Sequence, residues 1–287
     1  EKARVGKYID VLEHKKQIIL QGPPGTGKTY AAKKISQQMT GTDNKEQNKI
    51  IQFHPSYSYE DFIRGITVQA KGDGIEYVTV NKILAKLAKT ATDNPTLKYT
   101  LIIDEINRAN LPSVLGELIY ALEYRGESVE SMYAIGGDGD GDEVGDASIS
   151  IPENLFIIGT MNTADRSVGH IDYAIKRRFA FVDVLPDETP INNTKAKEVF
   201  REVSKLFVGL KDGIRVNSKY MAPDFNFKDV QLGHSYFILE EGNDLEQLKE
   251  LKINLEFEVI PILNEYVKDG LLLETAKTEI NRIAGLV

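Results

Sequence analysis

The sequence predicts an α/β fold: a five-stranded parallel sheet with helices between its strands, followed by a smaller, mainly helical C-terminal domain. Five short apolar, β-branched runs, at residues 18–21, 49–53, 99–104, 155–160 and 179–185, alternate with longer segments of helical period. That alternation is the pattern of strands buried on both faces and joined by crossover helices. A Gly/Pro-rich octapeptide separates the first run from a helix-like stretch, where α/β sheets place their ligand-binding turns. After Pro186 the character changes: Pro190 and the polar Asn192-Asn193-Thr194 precede helix-like segments at 195–210 and 245–267. These changes divide the chain into an α/β domain at 1–187 and a helical domain at 188–287.

Each element carries its own chemistry. The octapeptide Gly22-Pro23-Pro24-Gly25-Thr26-Gly27-Lys28-Thr29 is a complete phosphate-binding P-loop. Its glycines let successive backbone N–H groups approach phosphate oxygens, and the following helix presents its positive end. Lys28 would reach the β- and γ-phosphates, and Thr29 would give a hydroxyl to Mg²⁺. The third run delivers Asp104 and Glu105 to a strand end, where adjacent carboxylates are costly without a cation. Asp104 is therefore the expected Mg²⁺ partner and Glu105 the group that polarises an attacking water. The fourth run ends in Met161-Asn162-Thr163-Ala164-Asp165-Arg166-Ser167, and Asn162 can offer its amide to a γ-phosphate or to that water. Arg177 and Arg178 stand just before the fifth run, and one of the pair would serve as an arginine finger, supplied in trans by a ring neighbour.

Bulk properties narrow the alternatives. A net charge of −8 and a pI near 5.2 argue against a surface built as a nucleic-acid cradle, leaving room for a local basic patch. The absence of cysteine excludes disulfides, thiolate catalysis and Cys-based zinc sites, and permits a reducing compartment, so a cytoplasmic location is expected. The four histidines, His14, His54, His170 and His234, form no metal-ligand spacing, which argues against a nuclease centre in this chain. No apolar run approaches a membrane span, and Glu1-Lys2-Ala3-Arg4 lacks the apolar centre of a signal peptide. The acidic, Gly-rich stretch 136–146 cannot bury enough apolar surface to order itself and is expected to be a mobile hairpin-tip loop. A calcium loop is disfavoured because Glu143 holds the place of the turn glycine and Ile149 that of the bidentate glutamate.

The series of P-loop, Asp104-Glu105, Asn162 and Arg177-Arg178 resembles the AAA+ family of ring-forming P-loop NTPases over nearly the whole chain. A narrower similarity lies in Phe53-His54-Pro55-Ser56-Tyr57-Ser58-Tyr59-Glu60-Asp61-Phe62, Ile103-Asp104-Glu105-Ile106-Asn107-Arg108-Ala109-Asn110, the Met161 string and Gly233-His234-Ser235-Tyr236-Phe237. These strings resemble the McrB-like GTPase motor subunits of modified-cytosine restriction systems. The resemblance implies a hexameric ring with nucleotide between subunits, stimulation by an McrC-type endonuclease, and movement on DNA coupled to cleavage. It also implies that Asn107, Arg108, Asp165 and Arg166 belong to the nucleotide site or the adjoining subunit contact. His234 stands where ordinary AAA+ lids often carry a nucleotide-sensing arginine, so lid sensing is expected to differ. The family's modified-base reader is a separate N-terminal domain; nothing before Val5 has room for one, so the chain looks like the motor module. GTP rests on the resemblance, because P-loop contacts are blind to the base. An ATP-dependent remodeller and a nucleotide-gated assembly module with slow hydrolysis stay open beside it.

Overall fold

The protein is described by a computed structural model covering residues 2–71, 74–135, 146–165 and 171–287. Its strands are β1 (Gln17–Gly22), β2 (Asn48–Gln52), β3 (Arg64–Lys71), β4 (Gly74–Asn81), β5 (Tyr99–Asp104), β6 (Ser128–Ile135), β7 (Asp146–Ser150), β8 (Leu155–Asn162), β9 (Ala180–Asp183), β10 (Val208–Lys211) and β11 (Ile214–Asn217). Five of them form one sheet in the order β2-β5-β8-β1-β9, with β2 parallel to β5 and β5 parallel to β8. All five expected strands are present, and the sheet is the parallel core that their apolar character requires. The chain divides into two compact units: Glu1–Leu20, Thr29–Met161 and Arg166–Val182 in the first, Gln21–Lys28, Asn162–Asp165 and Asp183–Val287 in the second.

In the first unit the central strands are almost wholly buried, and their side chains meet helices that carry apolar residues at helical spacing. Helix Ile83–Asp93 buries Leu84, Ala85, Leu87, Ala88 and Ala91, one continuous stripe. A polar triad, with Ser36 and Thr100 buried and Asn48 half-buried, aligns β2 with β5. Asn48 and Thr100 are direct partners in the ladder, and Asn48 Oδ1 accepts from Thr100 Oγ1 at 2.9 Å and from Ser36 Oγ at 2.6 Å. The register is thereby fixed by polar satisfaction as well as by apolar burial.

Two antiparallel hairpins, β3–β4 and β6–β7, also belong to this unit and were not among the expected strands. Buried Arg64 ties them together: its Nε donates to Asn81 Oδ1 at 2.8 Å and its Nη2 to Ser148 O at 2.7 Å. The acidic stretch 136–145 lies between β6 and β7 in sequence, and the expectation that it is a mobile hairpin-tip loop falls outside the described residues.

The second unit has its own core of Phe200, Val203, Phe207, Phe237, Leu263 and Ile280 among others. Helix Thr194–Ser204 is capped by Asn193, whose Oδ1 accepts from the backbone of Lys195 at 2.8 Å and Ala196 at 3.0 Å. The expected helix at 195–210 is too long: it stops at Ser204, and 208–217 is a hairpin. Asp212 and Gly213, with φ of 53° and 78°, form its two-residue turn, the left-handed pair that matches strand twist. The expected helix at 245–267 is present but interrupted. Helices Asp244–Asn254 and Ile260–Lys268 are joined by a π-helical turn, Leu255–Val259. Pro261 explains the turn, since its ring has no N–H and displaces the carbonyl four residues before it.

Arg125 anchors the first unit from inside. Its guanidinium donates to Leu155 O at 2.7 Å, Pro152 O at 3.2 Å and Gln17 Oε1 at 2.5 Å. Burial draws its pKa down to about 10, which leaves it charged at neutral pH. Replacing Arg125 by Ala strips donors from these three oxygens and is expected to destabilise the first unit by about 2–3 kcal/mol, read by urea unfolding.

Candidate nucleotide site

In the first unit the site is organised around one carboxylate. Asp104 ends β5, and the ladder pairs Ile103 with Gly159, so the next residues, Asp104 and Thr160, stand at matching positions on adjacent strands. Asp104 Oδ1 accepts from Thr160 Oγ1 at 2.5 Å and from Thr29 Oγ1 at 2.7 Å. Two hydroxyls on one oxygen hold the carboxylate in a single orientation. The Thr160 oxygen in turn accepts from the Glu105 backbone N–H at 3.2 Å. Glu105 lies in the left-handed region, φ 52° and ψ 46°, a conformation costly to a residue with a side chain and concentrated at functional sites. There it begins the short 3₁₀ helix Ile106–Arg108, and its Oε2 lies 3.4 Å from Arg108 Nε.

Thr29 and Asp104 fit a magnesium ion chemically. They offer one hydroxyl and one carboxylate, hard oxygens that are already neighbours, and Mg²⁺ is typically held by one or two carboxylates with waters and phosphates completing its shell. Among the described residues no group of three or more His, Asp or Glu side chains forms a cage of another kind.

Asn107 is buried, and its Oδ1 lacks a hydrogen-bond partner among the described residues. It lines a cavity of about 310 Å³ together with Arg108, Asn110, Pro112, Ile171 and Asp172. Arg177 and Arg178 end the helix Tyr173–Arg178, and both reach Glu123, at 2.8 Å and 2.9 Å.

The second unit contains the phosphate loop from Gly22 to Lys28. Lys28 is buried and its Nζ donates to Gly22 O at 2.9 Å and Pro23 O at 2.7 Å, while Thr26 Oγ1 donates to Pro23 O at 3.1 Å. The ammonium is thus held against its own loop by carbonyl dipoles. Asn162 begins the short segment Asn162–Asp165, and the next N–H, that of Thr163, donates to Gly22 O at 3.1 Å. The segment is therefore stitched to the first residue of the loop, with Asp165 three residues further on. Arg166 lies outside the described residues.

The segment Gly233-His234-Ser235-Tyr236-Phe237 is laid along the same loop. Gly233 N–H donates to Pro24 O and Ser235 N–H to Gly25 O, both at 2.9 Å. This approach depends on two missing β-carbons: one at Gly233 would collide with the Gly25 carbonyl carbon, and Gly25 itself has φ +74° and would meet the Tyr236 ring. His234 is buried, and its Nδ1 accepts from the Asp187 backbone N–H at 3.2 Å. An acceptor at Nδ1 assigns the neutral tautomer with its proton on Nε2, and Nε2 is the nearest atom to where a Gly27 β-carbon would stand, 3.8 Å away. Replacing Gly233 by Ala is expected to destabilise the second unit by about 2 kcal/mol in urea unfolding. The Gly285→Ala control, whose β-carbon meets Arg282 O only at 3.6 Å, should cost far less.

Sequence reading passed over two residues of these constellations. Thr160 was visible as the lone hydroxyl in the otherwise apolar run from Leu155 to Met161, which is itself a signal of a buried polar partner. Glu123 had no local signal: it lies 54 residues from Arg177.

The chain resembles known proteins over most of its length. Residues 17–179 match the family described as the AAA domain (dynein-related subfamily), and residues 220–272 match the α-helical lid domain of McrB. The chain is 38% identical over 273 residues to the type IV methyl-directed restriction enzyme EcoKMcrB subunit of Escherichia coli (strain K12), covering 90% of this chain and 55% of that protein. It is 29% identical over 209 residues to the type II restriction enzyme BsuMI component YdiS of Bacillus subtilis (strain 168), covering 63% of this chain and 60% of that one. The chain thus spans somewhat more than half the length of these curated relatives. With a phosphate loop, a parallel five-stranded core and a matching lid, the chain belongs to the AAA domain family, in its dynein-related subfamily, and carries a lid of the McrB type.

Proposed function

We propose that this chain is the nucleotide-hydrolysing motor of a McrBC-like type IV restriction system, with GTP as substrate, working as a hexameric ring in the cytoplasm. In this reading an McrC-type endonuclease cuts DNA that the ring moves. The observation that carries it is the Asp104 carboxylate shared by Thr29 and Thr160, with Glu105 turned into a left-handed conformation beside it. The McrB-type lid and the 38% identity to an McrB subunit support the restriction-system assignment. Two domains, 1–187 and 188–287, are part of the same proposal. No helix among the described residues is long and apolar enough to cross a membrane.

The roles follow from residue chemistry. Backbone N–H groups of Gly22, Pro24's successor Gly25, Thr26 and Gly27 would face phosphate oxygens, with Pro23 and Pro24 stiffening the turn, and Lys28 would exchange its loop carbonyls for the β- and γ-phosphates. Thr29 and Asp104 would hold Mg²⁺, which neutralises phosphate charge when bound. Glu105 would accept the proton of the attacking water, and Asn162 would orient that water or the γ-phosphate by hydrogen bonding. Arg177 or Arg178 would stabilise developing charge on a neighbour's triphosphate. Asn107, Arg108, Asp165 and Arg166 would line the subunit contact, and the His234 Nε2–H would be a single neutral donor toward the nucleotide.

Steady-state phosphate release from GTP and ATP, with and without an McrC-type endonuclease, tests the proposal. GTP turnover that the endonuclease stimulates is the expected result. ATP turnover indifferent to that protein would point instead to a remodelling AAA enzyme, and tight binding with no turnover of either to a nucleotide-gated assembly module. Glu105→Gln should keep nucleotide affinity and lower turnover by roughly 10² or more, whereas Lys28→Ala should weaken triphosphate binding itself.

A further inference from the structure

The hairpin β10–β11 of the second unit pairs with no other strand. Two strands alone are marginally stable in water, and this pair is held at its base. Ser218 N–H donates to Phe207 O at 2.9 Å, Phe227 N–H to Asn217 Oδ1 at 3.0 Å, and Asn217 Nδ2 to Phe225 O at 2.5 Å. The outer half stands in solvent. Leu210 and Ile214 are 76% and 68% exposed, and every residue between them, with Arg215, is exposed as well. Aliphatic side chains in that position add little to the fold.

Charge on the hairpin runs against that of the chain. Residues 206–219 hold Lys211, Arg215 and Lys219 against the single carboxylate of Asp212, in a chain of net charge −8. Elsewhere in the unit Lys195, Arg201, Lys205, Lys277 and Arg282 each pair with a carboxylate. Lys211, Arg215 and Lys219 form no ion pair among the described residues. The ladder pairs Leu210 with Arg215 and Lys211 with Ile214, and neighbouring positions point to opposite faces. Each face of the tip therefore carries one cation beside one aliphatic side chain.

A polyanion with a groove fits this layout. A two-stranded ribbon is narrow enough for the major groove of duplex DNA, roughly 12 Å across. Entering tip first, it meets a sugar–phosphate backbone on either face, Lys211 toward one wall and Arg215 toward the other. Neither strand carries an aromatic ring on which unstacked bases could lie, which selects a duplex over a single strand.

We propose that the tip of β10–β11 is a contact for duplex DNA. Lys211 and Arg215 meet the phosphates flanking one groove, Lys219 meets an adjoining phosphate, and Leu210 and Ile214 lie against the groove walls. The inference rests on the restriction-motor reading in taking DNA as the polyanion, and it adds the surface that touches it.

Fluorescence anisotropy of a labelled duplex of about 30 base pairs, with the 287-residue chain and GTP between about 50 and 200 mM salt, tests it. Lys211→Ala/Arg215→Ala should weaken binding by roughly tenfold or more and flatten the slope of log affinity against log salt by about 2. Its thermal midpoint and GTP turnover should stay those of the wild type. Leu210→Ser/Ile214→Ser should weaken binding without changing that slope. Lys195→Ala/Lys277→Ala removes two paired cations from the same unit and should leave affinity and slope unchanged. The inference is overturned if the wild type does not bind the duplex, if either hairpin variant binds it as tightly as the wild type, or if the Lys195/Lys277 variant flattens the slope equally, since net charge alone would then be felt. Binding of phosphatidylserine vesicles or polyglutamate in place of the duplex would also overturn it, and would name a lipid surface or an acidic protein instead. Loss of duplex binding with endonuclease-stimulated GTP turnover intact would leave the motor reading standing. Duplex binding through Lys211 and Arg215 by a chain that hydrolyses neither GTP nor ATP would overturn the motor reading and leave the contact.

Discussion

One carboxylate oxygen receiving two hydroxyl hydrogen bonds sets the arrangement on which the first unit's site depends. Asp104 Oδ1 is reached from one side by Thr29, near the start of the helix Lys28–Thr40, and from another by Thr160 of β8. Neither hydroxyl arrives without the sheet. The parallel pairing of β5 with β8 brings Thr160 level with Asp104, and crowding of Ile19 and Ile106 around Gly159 leaves no space for a side chain there. Held by both hydroxyls the carboxylate keeps a single aim, and the following residue, Glu105, occupies a left-handed conformation that an isolated peptide would avoid.

The second unit solves a different problem, that of holding a glycine-rich loop still. Loops of this composition lose much conformational freedom on ordering, and the loop here is braced by carbonyl contacts rather than by side-chain packing. Lys28 bonds to two carbonyls at one end, and Gly233 and Ser235 donate to Pro24 and Gly25 in the middle. Because the brace comes from the lid segment that also carries His234, loop geometry and lid position are coupled within one unit. A neutral imidazole there adds direction without adding a permanent charge.

The core was legible from sequence because strands buried on both faces must be nearly continuous apolar runs, as β1, β5 and β8 are, and the two flanking runs became the partly buried outer strands β2 and β9. Two of the three hairpins were not legible on that criterion: β3, β4, β10 and β11 are largely exposed, with Ile75, Tyr77 and Leu210 facing solvent. The Asp212-Gly213 pair was the available signal for β10–β11, and helical periodicity running on from 195 masked it. Asp104, Glu105 and Asn162 could be singled out one by one, since each sits at or just after the end of an apolar strand. What periodicity cannot supply is long-range pairing, which is why Glu123, the shared partner of Arg177 and Arg178, and the contact of Gly233 with Gly25 came only from the fold.

The most direct test of the central role given to Asp104 is calorimetric titration of the chain with GTP, with and without Mg²⁺, for the wild type and Asp104→Asn. The expected result is that Mg²⁺ tightens triphosphate binding in the wild type and that this tightening is lost in the variant, with Mg²⁺-free affinity little changed. Equal tightening by Mg²⁺ in both proteins would contradict the assignment of Asp104 and Thr29 as the cation-holding pair.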